Sequence, residues 1–269
     1  MSGLAESLFP TLFPADCKLC GSPILQISPL PVCEGCLSAM RPIAGGVCSS
    51  CGDKLVRPYG FSASGGEPCC GLCRRLAPPF AKAVAYGSYD GGLRELIHLL
   101  KYQQVRPAAA VLGRMLQEAM ASLKDLPGNL VVVPVPLHRK KLRERGFNQV
   151  ELIARAALKL GGERRTLWPK AIERRRETKS QTGLSNHQRR ENMRGAFVVS
   201  SPEAVAGREV LLVDDVFTTG TTVSECARVL RRAGAYKVLV ATVARTLKTD
   251  ATVAEVERTE NSFALAAAG

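Results

Sequence analysis

Apolar residues along this chain follow two rhythms. Short runs with almost no polar interruption read as strands buried on both faces: Leu130-Val-Val-Val-Pro-Val, Val210-Leu-Leu-Val and Lys237-Val-Leu-Val-Ala-Thr-Val. Ala81 to Tyr89 and Ala196-Phe-Val-Val supply two further strands. Between them the spacing becomes helical. Apolar residues fall at 93, 96, 97 and 100 in Leu93 to Tyr102, and a second helix covers about 107–123. Phe147 to Leu160 is stopped by Gly161-Gly162, and the helix opening at Val223 is stopped by Gly234. Strand and helix alternate, the order of an α/β domain on a mostly parallel sheet. Leu137 to Gly146 reads as a basic loop. Arg164 to Asn192 is highly polar and reads as a mobile loop or hairpin, the kind of segment that closes over a site.

The alternation begins only near residue 80, after a joint at Pro78-Pro79. Residues 15–76 are Gly- and Pro-rich, poor in large apolar side chains, and hold nine of the ten cysteines, a composition that builds no core unaided. Cys17/Cys20, Cys33/Cys36, Cys48/Cys51 and Cys70/Cys73 form four Cys-x-x-Cys pairs, with Cys69 left over. Nothing in Met1 to Pro14 looks like a signal peptide, and no stretch approaches the ~18 apolar residues of a membrane span, so a cytoplasmic location is expected. In that compartment repeated Cys-x-x-Cys pairs indicate zinc rather than disulfides, with an iron–sulfur cluster a minor option. Two structural Zn²⁺ sites are expected, one of Cys17, Cys20, Cys33 and Cys36, the other of Cys48, Cys51, Cys70 and Cys73. An interleaved pairing stays open. Four thiolates leave no position for substrate. Three units result: a double zinc ribbon at 15–76, an α/β domain at 80–249 and a loose tail at 250–269. Cys226, alone within a helix, reads as a small buried residue.

Charge narrows the picture further. The chain carries a formal net +13, and the segment from Arg139 to Gly195 has 17 Lys/Arg against six Asp/Glu. Such a cluster suits polyanions, whether diphosphate, nucleotide or nucleic acid. Aromatic residues make up only 5%, which limits extended base stacking.

The most informative stretch is Val213-Asp-Asp-Val-Phe-Thr-Thr-Gly-Thr-Thr. It places Asp214 and Asp215 at the carboxyl end of a buried strand, followed by a turn and a helix. Ligands bind open α/β sheets at this edge. Gly220 allows close backbone approach to an anion, and the helix N-terminus with Thr218, Thr219, Thr221 and Thr222 supplies donors. The carboxylates suit ribose hydroxyls or a divalent cation. This stretch resembles the phosphoribosyl diphosphate (PRPP) motif of type I phosphoribosyltransferases. With Leu100-Lys-Tyr, Arg145-Gly-Phe-Asn-Gln and Gln181-Thr-Gly-Leu behind the cysteine pairs, the chain resembles the ComF family, amidophosphoribosyltransferase-like proteins with an N-terminal double zinc ribbon.

The resemblance implies a type I phosphoribosyltransferase fold, PRPP or a nucleotide as ligand with Mg²⁺, and a role in uptake of transforming DNA. It assigns ribose to Asp214 and Asp215, and the 5′-phosphate to the loop of Thr218, Thr219, Gly220, Thr221 and Thr222. Lys101, Arg143 and Arg145 become diphosphate contacts; Gln181, Thr182, Arg189 and Asn192 become closing residues. His138 and His187 lie in candidate loops, but each reads as an ordinary polar residue. Two classes of function follow. One is a phosphoribosyltransferase of unknown acceptor. The other is a non-catalytic adaptor that binds nucleotide or single-stranded DNA beside DNA-uptake proteins; a third, milder option is PRPP sensing without catalysis.

Overall fold

The computed structural model describes residues 15–24, 26, 28–55, 67–123, 126–127, 130–161, 165–177 and 186–247. The expected tail and the candidates Gln181 and Thr182 lie outside them.

Five strands form one parallel sheet: β3 (Lys82–Ser88), β4 (Val131–Pro134), β5 (Thr166–Leu167), β8 (Glu209–Phe217) and β9 (Lys237–Arg245), in the order β3-β9-β8-β4-β5. The apolar runs are continuous because both faces are covered. Leu211 and Val213 face one core, while Val210 and Leu212 face the other. Over the first face pack α3 (Gly91–Tyr102), α4 (Ala108–Ala121) and α6 (Gln149–Leu160). Gly113 lets α4 approach α6 closely, since a Cβ there would lie 2.5 Å from that of Ala156. Under the second face lie α8 (Thr221–Arg232) and the antiparallel pair β6 (Ile172–Arg174) and β7 (Phe197–Val199). Cys226 is fully buried there, as expected of it.

Three sequence expectations need correction. The strand expected to end at Val213 runs on to Phe217, because its neighbour β9 is equally long and keeps the ladder through Phe217↔Arg245. The basic segment after Leu137 is not a loop. It forms α5 (Arg139–Arg145), capped by His138 Nδ1 and ended by Gly146 at φ 77°. The polar segment around 164–192 is more regular than a single loop. It contributes β5 and β6, and α7 (Asn186–Met193) precedes β7.

The cysteine-rich region docks on the sheet domain at two places. Its first part holds β1 (Ala15–Asp16), β2 (Pro23–Ile24) and α1 (Glu34–Ala39), and buries Cys17, Leu30, Val32 and Met40 in the first core. The Tyr86 hydroxyl donates to the Met40 carbonyl at 3.1 Å. Its second part, which ends with α2 (Gly71–Arg75), pairs the Ala83 amide with the Ser50 carbonyl at 2.7 Å on the edge strand β3.

Candidate functional site

The two acids of β8 have unequal surroundings. Asp215 is buried, and its Oδ1 lies 2.7 Å from Lys101 Nζ at the end of α3. Its Oδ2 accepts from Gln149 Nε2 at 2.6 Å. Burial alone would lower the Lys101 pKa, but the Asp215 charge outweighs it and raises it. Asp214 is half-buried, and its Oδ1 accepts only the Asp215 amide, at 2.9 Å, among the hydrogen bonds found. Burial first, and the Asp215 charge second, push its carboxyl up to about 7, against the pull of Lys101. Asp215 is therefore tied into the scaffold, and Asp214 is the less engaged of the two acids.

Gln149 is the site residue that the sequence reading passed over. Its motif, Arg145-Gly-Phe-Asn-Gln, now has a part-by-part explanation. Gly146 ends α5 in the left-handed conformation. Phe147 is buried under the Arg106 guanidinium, 5.0 Å from its ring centroid. Asn148 caps α6 through the Val150 amide at 3.0 Å and donates to the Val135 carbonyl at 3.1 Å, fixing the helix to the end of β4. That leaves Gln149, in the first helical turn, aimed at Asp215. In the sequence its one mark was a place on the helix stripe shared with Val150, Ile153 and Ala157, which does not name a partner.

Arg145 joins the same network, donating to Gln149 Oε1 and lying 5.7 Å from the Tyr102 ring centroid. The structure thus brings Lys101 onto Asp215, with Arg145 one step removed, on Gln149. Arg143 is exposed on α5. Asn192 lies near the end of α7, where Arg176 donates to the Asn192 and Arg194 carbonyls, both at 2.8 Å. Arg189 lies on the same helix, half-buried.

Beyond β8 the loop turns sharply into α8. Gly220 has φ 72°, and a Cβ there would lie 2.5 Å from Cζ of Phe217. The conformation and the contact both demand glycine. The Thr219 and Thr221 hydroxyls meet at 2.9 Å. The first amides of α8 have no carbonyl within the helix to reach, and a small open pocket there is bounded by Asp214, Thr218, Gly220, Thr221 and Thr222. Amides, helix dipole and hydroxyls make this pocket suitable for a phosphate, with a carboxylate at its rim. Gly220→Ala is expected to cost about 1–3 kcal/mol in denaturant unfolding; a variant as stable as the parent would mean the loop relaxes freely.

The cysteines assemble as the two sequential quartets, each with its ligand atoms within 4.8 Å of one another. Four sulfurs about 2.3 Å from a tetrahedral zinc must be about 3.8 Å apart. Cys17 and Cys36 are separated by 3.8 Å, Cys20 and Cys33 by 3.7 Å, and Cys51 and Cys70 by 3.8 Å. Backbone amides point at the sulfurs, as thiolates require: Leu19 and Cys33 on Cys17 at 3.4 and 3.3 Å, and Cys70 on Cys48 at 3.3 Å. Burial pushes the Cys17 thiol up, but amides of Cys33, Cys20 and Leu19 outweigh it and bring it down to about 6. Spacing and donors both fit zinc. The leftover Cys69 sulfur lies 3.8 Å from that of Cys48, outside the quartet.

Comparison with known proteins supplies the remaining findings. Residues 167–262 match the phosphoribosyl transferase domain family. DNA utilization protein YhgH of Escherichia coli O157:H7 is 34% identical over 239 residues, covering 87% of this chain and 98% of the relative. Competence protein F of Haemophilus influenzae is 29% identical, covering 79% and 96%. Competence protein ComFC of Bacillus subtilis is 25% identical, covering 76% and 79%. Among the described residues no helix is long and apolar enough to cross a membrane.

Proposed function

The chain belongs to the ComF family, and on that premise we propose that it binds PRPP with Mg²⁺ at the carboxyl edge of β8 and transfers the phosphoribosyl group to an acceptor in the handling of DNA. The observation carrying this reading is the half-buried Asp214 beside the Gly220 helix-start pocket. In the proposed complex the amides from Gly220 to Val223 hold the 5′-phosphate, and the Asp214 carboxylate accepts from the ribose hydroxyls. Arg145 faces the diphosphate, with exposed Arg143 as an outer contact, and Lys101, paired with Asp215, lends positive charge to the leaving group. Loss of diphosphate leaves cationic character at C1, which the two carboxylates stabilise. Hard oxygen donors at Asp214 and the threonines suit Mg²⁺, which when bound with PRPP neutralises the departing diphosphate. Gln181, Thr182, Arg189 and Asn192 belong to the segment proposed to exclude water.

In the same reading, both cysteine quartets hold structural zinc, residues 15–76 form the ribbons and 80–249 the transferase unit. The cytoplasm, where thiols stay reduced, is the compartment that suits them. Calorimetric titration of the zinc-loaded protein with MgPRPP is expected to give one site per chain. No heat from folded, zinc-loaded protein would sink the proposal.

A second reading, compatible with the first, is supported by Arg139, Lys140, Lys141 and Arg143, all exposed on α5 beside the site, and by the relatives' names. Here the chain is an adaptor holding single-stranded DNA across those residues. Contact with about four phosphates gives a log–log salt slope near −3, from roughly −0.7 per phosphate. Salt-independent or undetectable binding of an oligonucleotide removes this reading and leaves the first intact.

A further inference from the structure

Strand β9 is apolar along almost its whole length, yet it ends in Arg245, which is 3% exposed. A buried guanidinium is costly unless it is paired and hydrogen-bonded. Its partners come from the second cysteine quartet and from the site. Arg245 Nη2 lies 3.2 Å from Asp53 Oδ1, both side chains almost fully buried. Its Nη1 donates to the carbonyl of Cys51, a member of that quartet. The guanidinium also stacks on Phe217, 4.9 Å from the ring centroid.

The contact is continuous in both directions. Gly52 sits between Cys51 and Asp53 at φ 71°, and a Cβ there would lie 2.6 Å from the Ala83 carbonyl and 3.4 Å from Arg245 Nη1. The turn bearing Cys48 and Cys51 is thus pressed against β3 and the arginine. At the other end the Phe217 ring meets Gly220, the residue that opens the phosphate loop, and Phe80 packs edge-on to it at 6.2 Å. The Thr246 amide donates to the Phe217 carbonyl at 3.0 Å, closing the β8–β9 ladder at the same spot.

We propose that Asp53, Arg245 and Phe217 form a buried strut through which the second cysteine quartet sets the conformation of the loop from Thr218 to Thr222. Arg245 is then a positioning residue, acting on a bound phosphate through Phe217 and Gly220. Apolar replacement of a buried ion pair is often neutral for stability, so bulk stability does not by itself account for an arginine here. Orientation does, because the guanidinium ties one fixed point on the cysteine turn to one face of one ring. Metal release from this quartet would loosen the Cys51 carbonyl and Asp53 together, and the loop with them. Only the link from loop order to ligand affinity rests on the PRPP reading.

The test uses the full-length zinc-loaded chain, with amide hydrogen exchange at 218–223, zinc content and MgPRPP affinity read separately. Arg245→Met, with Asp53→Leu to leave no orphaned charge, is expected to keep two zinc ions while loop exchange speeds at least tenfold and PRPP affinity falls by a similar factor. Phe217→Leu, which leaves the cysteine turn untouched, is expected to give the same loop signature. Arg245→Lys, keeping the charge for Asp53, is expected to restore part of the protection. Unchanged loop exchange in either Arg245→Met/Asp53→Leu or Phe217→Leu, with zinc retained, overturns the strut. If wild type binds no PRPP, the exchange data still decide the strut, and the failure belongs to the PRPP reading alone.

Discussion

Asp214→Asn is expected to lose PRPP binding by about 100-fold or more while raising the melting temperature at pH 8, and Asp215→Asn is expected to lower it. The ligand effect follows from two charge-assisted hydrogen bonds to ribose hydroxyls, each worth about 1.5–3 kcal/mol. The opposite signs in stability follow from the surroundings. Asp214 titrates at about 7 in the fold, pushed up by burial and then by Asp215. Its unfolded value is about 3.9. Between those values the folded chain holds a proton that the unfolded chain has lost. Stability therefore falls as pH rises through this window, and above 7 the whole penalty is present. Asparagine removes that penalty, so the gain should vanish below about pH 4. PRPP affinity of the parent should climb through the same window as Asp214 ionises, and the variant should show no such climb. Asp215 differs because Lys101 and Gln149 both close on it. Neutralising it leaves a buried ammonium without its counter-ion, at a cost of about 3–5 kcal/mol. Thermal melts of both variants at pH 4 and pH 8 check this; equal shifts would mean the two acids are interchangeable.

This asymmetry was not legible in the sequence, where Asp214 and Asp215 are adjacent and identical in type. The sheet was legible, because Val210 to Val213 and Leu130 to Val133 are apolar at every position, the mark of strands covered on both faces. The loop was legible too, since Gly220 and its threonines precede a clear helix. The strand's true end depended on the length of β9, a partner that periodicity within one segment does not report. Arg139 to Arg145 hid its helix because all but Leu142 of its residues are charged, leaving no apolar stripe to read. Gln149 and Arg245 became meaningful only when folding placed one on Asp215 and the other on Asp53 and Phe217. The cysteine quartets needed no such help, because each Cys-x-x-Cys pair is a local unit and sequence order alone joined the right pairs.

Replacing Cys48 by serine is expected to release one zinc ion per chain and unfold the second cysteine turn, whereas Cys69→Ser should retain both ions. Cys48 is 1% exposed and accepts the Cys70 amide, so its sulfur is enclosed and held within its quartet. Cys69 is close enough to Cys48 to compete, but Cys70 and Cys73 complete the set. Structural zinc contributes apparent free energies of about 10–16 kcal/mol in small zinc-finger peptides. Among the described residues of 15–76, the two strands are two residues each and neither short helix contains a buried residue, so regular structure contributes little there. Chelation of both ions should therefore unfold the whole module, with rapid proteolysis around the quartets. It should also strip Cys17, Leu30, Val32 and Met40 from the first core, uncovering apolar surface on α3 and β3. Aggregation of the metal-free chain follows from that exposure. Zinc content, limited proteolysis and light scattering read the three consequences independently. A chelated chain that stays monomeric and resists protease would make the quartets dispensable, and with them the metal.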